Sequence, residues 1–151
     1  MSSITVKYSS QKGLDDALEA VTAHIKQEME RRSYLAANEL RNASLLVLRG
    51  QRNGRRYRVP GTKRYYTASA PGQPPAVRTG IFRMSWQPSA HVVFGQYVSR
   101  IESEVTTDNG RYNLGELLEK GTRKMAPRPH HEKILEKARK PIEGIYSAPY
   151  F

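Results

Sequence analysis

From Leu14 to about Leu48 the chain runs without proline or glycine, and Leu14, Leu18, Val21, Ile25 and Met29 recur at spacings of four, three, four and four. Ala36, Leu40, Ala43 and Val47 continue the same face. This is the period of an amphipathic helix. Asp15, Asp16 and Glu19 load its first turns with negative charge, where the helix dipole favours it. Unbroken, such a helix is about 50 Å long at ~1.5 Å per residue. One small domain does not cover that length. The pattern therefore predicts either a break near Arg31–Ser33 or an apolar face lent to a neighbouring subunit.

Beyond the helix the pattern changes. Asn53-Gly54 is a two-residue hairpin signal, because both residues tolerate positive φ, and its flanks are rich in arginine. A protruding basic hairpin or loop follows from this. Pro71–Val77 then holds three prolines and a glycine, a rigid and uncharged connector that ends towards the single tryptophan, Trp86. His91–Glu104 has near-strand spacing and predicts two short strands joined around Gly95, or a bulge there. Asp108-Asn109-Gly110 signals a turn, Leu114–Lys120 a short helix, and Gly121 its stop. Ala126-Pro127-Arg128-Pro129 blocks helix until His130. A last helix is expected to about Ile145, with Ile134, Leu135, Ala138, Ile142 and Ile145 as its apolar side, and Pro141 predicts a kink or an early end.

The expected fold is one α+β domain over residues 1–151, with the long N-terminal helix and the C-terminal helix packed on a small antiparallel sheet. Its parts are a long helix (14–48), a basic hairpin and Pro-rich arm (49–86), strands (87–107), a short helix, Arg-Pro loop and C-terminal helix (114–146), and a flexible or arm-like tail (147–151). The stiff Pro-rich segment fits two placements: an arm crossing to a neighbouring subunit, or a loop lying on its own domain.

Charge sharpens this picture. The net charge is +11, yet from Leu40 to Ile101 there is no acidic residue against eleven basic ones, and the rest of the chain is balanced. A one-sign field of this kind implies a polyanion or an acidic protein surface nearby. Arg55-Arg56-Tyr57-Arg58 and Lys63-Arg64-Tyr65-Tyr66 interleave cations with aromatics. With Arg52 they form a basic contact segment, suited to phosphate contacts with base stacking and equally to a protein interface. Double-stranded DNA is a possible neighbour on this count, although no sequence-specific reader motif is present.

Catalysis has no residue set on which to stand. The chain has no cysteine, so thiolate metal sites and disulfides are excluded. It also lacks GxSxG, P-loop, GxGxxG and HExxH patterns. His130-His131-Glu132 suggests a metal until geometry is considered, since adjacent helical residues point about 100° apart. His24 falls beside Val21 and Ile25, at the edge of a core. A non-enzymatic protein without metal or cofactor is expected. MSSITVKYSSQKG lacks a signal-peptide core, and no stretch approaches the ~18 apolar residues of a membrane span. These features predict a protein made and assembled in a cytoplasm, without a membrane.

Two ordered segments carry a more specific signal. The first is Ser69-Ala70-Pro71-Gly72-Gln73-Pro74-Pro75, continued by Thr79-Gly80-Ile81-Phe82-Arg83-Met84-Ser85. The second is Leu114-Gly115-Glu116-Leu117-Leu118-Glu119-Lys120-Gly121-Thr122-Arg123-Lys124-Met125-Ala126-Pro127-Arg128-Pro129. After a long amphipathic helix, this pair resembles the neck or minor tail-component family of long-tailed bacteriophages (siphoviruses), functionally similar to lambda's minor tail protein Z. Phe82 stands where that family usually has leucine, Leu114 where it has tyrosine, and the basic insertion around Arg52–Arg64 is longer than its usual connector. The resemblance covers roughly residues 14 to 146. It implies a structural virion protein of head–tail joining or tail completion, assembled as a ring, with sixfold order expected. It also implies contacts with head-closure, tail-terminator and tail-tube proteins. The interface residues it implies are Pro71, Gly72, Pro74, Pro75, Thr79, Gly80, Phe82, Trp86, Glu119, Gly121, Thr122, Arg128 and Pro129.

Overall fold

The computed structural model describes residues 11–107 and 109–151. α1 (Gln11–Arg49) is one unbroken helix, already helical at the first described residue, so no break falls at Arg31–Ser33. Starting there, it puts Asp15, Asp16 and Glu19 beyond the first turn. Its buried positions, Arg32, Ser33, Ala36, Ala37, Leu40, Ala43, Ser44 and Leu48, all lie in the second half. Small residues dominate that face, which lets neighbouring elements approach the helix closely.

α4 (His131–Ser147) packs along this half on one side, and the β3–β4 hairpin (Gln87–Val93 with Gln96–Glu102) packs on another. Leu40, Ala43, Ile134 and Ala138 form the core between the helices, with Val47, Ile101 and Ile142 against it. Leu135, expected on the apolar side of α4, is exposed, because only positions facing α1 are covered. α4 also runs through Pro141 without ending.

The fold is α+β, with three separate two-stranded antiparallel ribbons in place of one small sheet. β1 (Arg56–Arg58) pairs with β2 (Tyr65–Thr67), and β5 (Thr106–Thr107) with β6 (Tyr112–Asn113). Phe94 and Gly95, both at positive φ, turn β3 into β4 where the sequence placed the turn. Asn53-Gly54, however, is not a hairpin turn. β1 and β2 are joined through Val59–Arg64, and Gly54 N–H donates to the Ala68 carbonyl at the open end of the ribbon. A Cβ on Gly54 would stand 2.4 Å from the Ala68 oxygen, so the glycine answers close backbone approach and not turn geometry.

α2 (Ile81–Met84) follows Gly80, which sits at φ 89. α3 (Leu114–Lys120) is capped by the Asn113 side chain, which accepts from Glu116 N–H, and ends at Gly121 with φ 77. The residues from Ser147 onward, expected as a loose tail, return onto α1. Arg32 donates to the carbonyls of Tyr146, Ala148 and Pro149 at 3.3, 2.7 and 2.6 Å, and its guanidinium lies 3.8 Å over the Tyr150 ring. Tyr150 O–H reaches Met29 Sδ, and His24 Nε2 donates to the Tyr150 carbonyl. His24 is thus exposed and holds the tail, in place of the core edge that the sequence suggested.

Candidate functional site: the Pro-rich face and the basic hairpin

The Pro-rich segment lies on its own domain. Arg52 Nε donates to the Pro74 carbonyl at 2.7 Å, and Nη2 to the carbonyls of Pro75 and Val47 at 3.0 and 2.8 Å. The Gln73 side chain accepts from Asn53 and Ala70 N–H, and Ser69 Oγ donates to the Pro74 carbonyl. Prolines present carbonyls without N–H donors. Here the Arg52 and Ser69 side chains donate to those carbonyls, and the Gln73 side chain accepts from neighbouring N–H groups. Pro75 is buried and Pro74 half-buried, while Pro71, Gly72 and Thr79 stay exposed.

Behind this segment Phe82, Trp86 and His130 form an edge-to-face cluster with ring centroids 5.6–5.9 Å apart. Trp86 and His130 are buried, so the single tryptophan towards which the Pro-rich connector runs sits inside its own domain, while Ile81 and Met84 beside it are exposed. The Trp86 carbonyl accepts from Arg41, and Arg83 donates to the Leu45 carbonyl, which fastens both sides of α2 to α1.

The second resembling segment meets the first. Gly72 N–H donates to the Pro127 carbonyl and Lys133 Nζ to the Gly72 carbonyl. A Cβ on Gly115 would meet Asn113 Oδ1 at 3.1 Å and the Phe82 ring at an ordinary contact distance of 3.5 Å, so α3 packs against Phe82 here. Arg128 N–H bonds the Leu118 carbonyl, closing the loop that holds Gly121, Thr122 and Pro129. Between the segments opens a groove of about 470 Å³ with an apolar lining.

Glu119, His130 and His131 bring potential ligand atoms within 4.8 Å of one another. Glu132, which the sequence grouped with the histidines, is replaced here by Glu119. His130 precedes the helix at φ −140, so the angle between adjacent helical residues does not govern this pair. Glu119 Oε2 accepts from the backbone N–H of His130 and His131 at 2.8 and 3.2 Å, which makes it the cap of α4. The His130 Nδ1–H faces the Arg128 carbonyl and Glu119 Oε2, leaving Nε2 buried and unpartnered among the described residues. Burial is the largest influence on this ring and pulls its pKa below the ordinary histidine value, against the opposing Arg128 carbonyl and Glu119. The visible work of this trio is to fasten a helix to a loop.

The basic segment divides. Arg55, Arg56, Arg58, Lys63 and Arg64 are exposed on the β1–β2 ribbon, and Arg55 and Arg56 lie over Tyr57 and Tyr65 at 5.6 and 4.8 Å. Arg52 does not belong with them. It is half-buried as the staple of the Pro-rich segment, and its burial lowers its pKa from the ordinary arginine value. Sequence reasoning also missed Arg32, Arg41, Arg83 and Lys133, whose partners are backbone carbonyls that leave no mark on residue spacing.

Among the described residues no helix is long and apolar enough to cross a membrane. No protein-family model, curated protein or solved structure matches this chain.

Proposed function

We propose that the chain is a structural virion protein of a long-tailed phage, acting at the head–tail junction and forming or capping a ring that joins the tail to the DNA-filled head. One observation carries this reading. The two segments on which the resemblance rests, far apart in sequence, pack against each other through the Gly72–Pro127 hydrogen bond and the close approach of Gly115 to the Phe82 ring. The exposed first half of α1 adds a surface for assembly, and a heterologous contact closes into a ring when its rotation allows. Sixfold closure in the virion, with head-closure and tail-terminator or tail-tube proteins on either side, completes the proposal. Deleting the gene is expected to leave DNA-filled heads and separate tails that fail to join. Normal infectious particles from the deletion strain would end this reading.

A second reading, a nucleic-acid-binding protein, draws on the hairpin, where five exposed cations stand beside exposed Tyr57 and Tyr65. Five phosphate contacts on duplex DNA give a log–log salt slope of about −4 to −5. Binding to DNA and RNA measured against salt decides it, and weak binding with a shallow slope removes it.

A further inference from the structure

The first half of α1 carries an apolar stripe that the other described residues cover only in part, with Leu14 and Val21 half-buried. Leu14, Leu18, Val21 and Ile25 share one side of the helix, and Leu18 and Ile25 are 53% and 39% exposed. Asp15 and Glu19, four residues apart, run along one flank of the first part of the stripe, and Thr22 and Lys26 continue that row. Elsewhere the groove between the Pro-rich segment and α3 exposes the opposite character. Its floor includes Leu48, Phe82, Leu114 and Leu118, and Ile81 at its rim is 63% exposed. The charged residues lining it are Arg78, Arg83 and Arg128, with no carboxylate among the described residues around it. Arg128, one of these arginines, keeps its Nη1 buried without a hydrogen-bond partner among the described residues. A buried guanidinium N–H of this kind favours a carboxylate or carbonyl brought in from outside.

We infer that the groove takes the first half of α1 from a second copy of this chain, the stripe lying on the apolar floor and the Asp15–Glu19 flank against the arginine rim. The match is of two kinds. An amphipathic helix in an apolar groove is anchored by side chains at i, i+4, i+7 and i+11, which is the spacing of Leu14, Leu18, Val21 and Ile25. The acidic flank answers a rim of one sign, which steers the encounter and fixes its direction. The contact uses different surfaces on the two copies, so it propagates head to tail and closes only as a ring or runs on as a filament. This inference rests on the self-assembly in the reading above and names the contact that produces it.

The chain has no cysteine, so single cysteines report the contact directly. Leu18→Cys and Ile81→Cys, both at exposed positions, are mixed as separate proteins at high concentration under mild oxidation. The expected product is a Leu18→Cys to Ile81→Cys cross-linked dimer, with the double variant giving a ladder. Adding Arg128→Gln to the Ile81→Cys partner, or Asp15→Lys with Glu19→Lys to the other, is expected to lower the yield several-fold. Cross-links only between two Leu18→Cys copies would mean that stripe pairs with stripe and would overturn the inference. No cross-link in any mixture would overturn it as well. Failure of the phage reading shows instead in the deletion strain, whose particles would be normal even where the cross-link forms.

Discussion

Arg32 offers the sharpest test of how this fold is closed. Its side chain is 1% exposed, pairs with Glu28 Oε1 at 2.9 Å, and donates to three carbonyls at the end of α4 and beyond it. A cation there also meets the negative end of the α4 dipole. Removing one partner of a buried charge pair costs about 3–5 kcal/mol. The tail carbonyls regain water once the tail lifts, so the lower end applies to Arg32→Ala, about 3 kcal/mol. At ~2–4 °C per kcal/mol for a chain of this size, the melting temperature should fall by roughly 6–12 °C. Arg32→Lys keeps the charge without the planar fork and should recover only part of that. Chemical denaturation of Arg32→Ala, of a chain ending at Ser147, and of the two combined forms a cycle in which the losses should be strongly non-additive. The acid limb adds a check. Arg31 and then Arg32 hold the Glu28 carboxylate down to about 2 from the ordinary 4.5, so its contribution is whole above 4.5 and fades as the pH falls towards 2. Full additivity, or a loss under ~1 kcal/mol for Arg32→Ala, would refute the account of Arg32 as the clasp between α1 and the tail.

Other outcomes follow from the same structure. The folded chain keeps His130 neutral while the unfolded chain protonates it near ~6.5, so stability should be whole above that pH and decline below it. Melts across about pH 7.5 to 5 should show this decline, and His130→Gln should flatten it. Gly54→Ala drives a Cβ against the Ala68 carbonyl and should destabilise by about 1–3 kcal/mol in urea titrations, whereas a tolerated alanine would contradict the close approach. Arg52→Ala should raise amide exchange in residues 69–76 well before the core opens, because its bonds to Pro74 and Pro75 hold that segment. On the proposed head–tail role, reversing Arg55, Arg56 and Arg58 to Glu should block head–tail joining while circular dichroism keeps its shape. Normal joining with an altered rate of DNA ejection would place the hairpin on the DNA path instead of against acidic proteins.

The helices were legible because their information is local. The stripe from Leu14 to Val47, the Gly121 stop and the Pro127–Pro129 block are each written within a few residues of where they act. What failed was longer in range. Asn53-Gly54 fits a tight turn on its own, and only the approach of Ala68, fourteen positions later, gives that glycine a different task. Pro141 predicted a kink or an early end to α4 from the hydrogen bond it lacks, and the early end does not occur. Packing on α1 outweighs that loss and the helix continues to Ser147. The tail read as loose because SAPYF has no periodicity, while its anchor, Arg32, stands more than a hundred residues away.

The acid-free middle of the chain shows why charge alone misleads about a site. Eleven cations without a carboxylate between Leu40 and Ile101 suggested a surface waiting for an anion. In the structure Arg41, Arg52 and Arg83 donate instead to the carbonyls of Trp86, Pro74, Pro75, Val47 and Leu45. A segment rich in proline and short in regular structure leaves many carbonyls unpaired, and guanidinium groups can satisfy several at once. Part of the basic excess is thus the means by which irregular backbone is held to α1. The cations left over are those of the β1–β2 ribbon, Arg78 at the groove rim, Arg49 at the end of α1, and Arg100, which pairs with Glu102. The ribbon is exposed and carries its tyrosines outward, as a contact with a large partner requires. The rim faces an apolar floor and holds an unpaired N–H at Arg128, which suits a narrow acidic helix. One run of sequence therefore supplies backbone staples, an outward contact and, together with Arg128 from beyond it, the rim of a groove, and burial at each arginine separates the three.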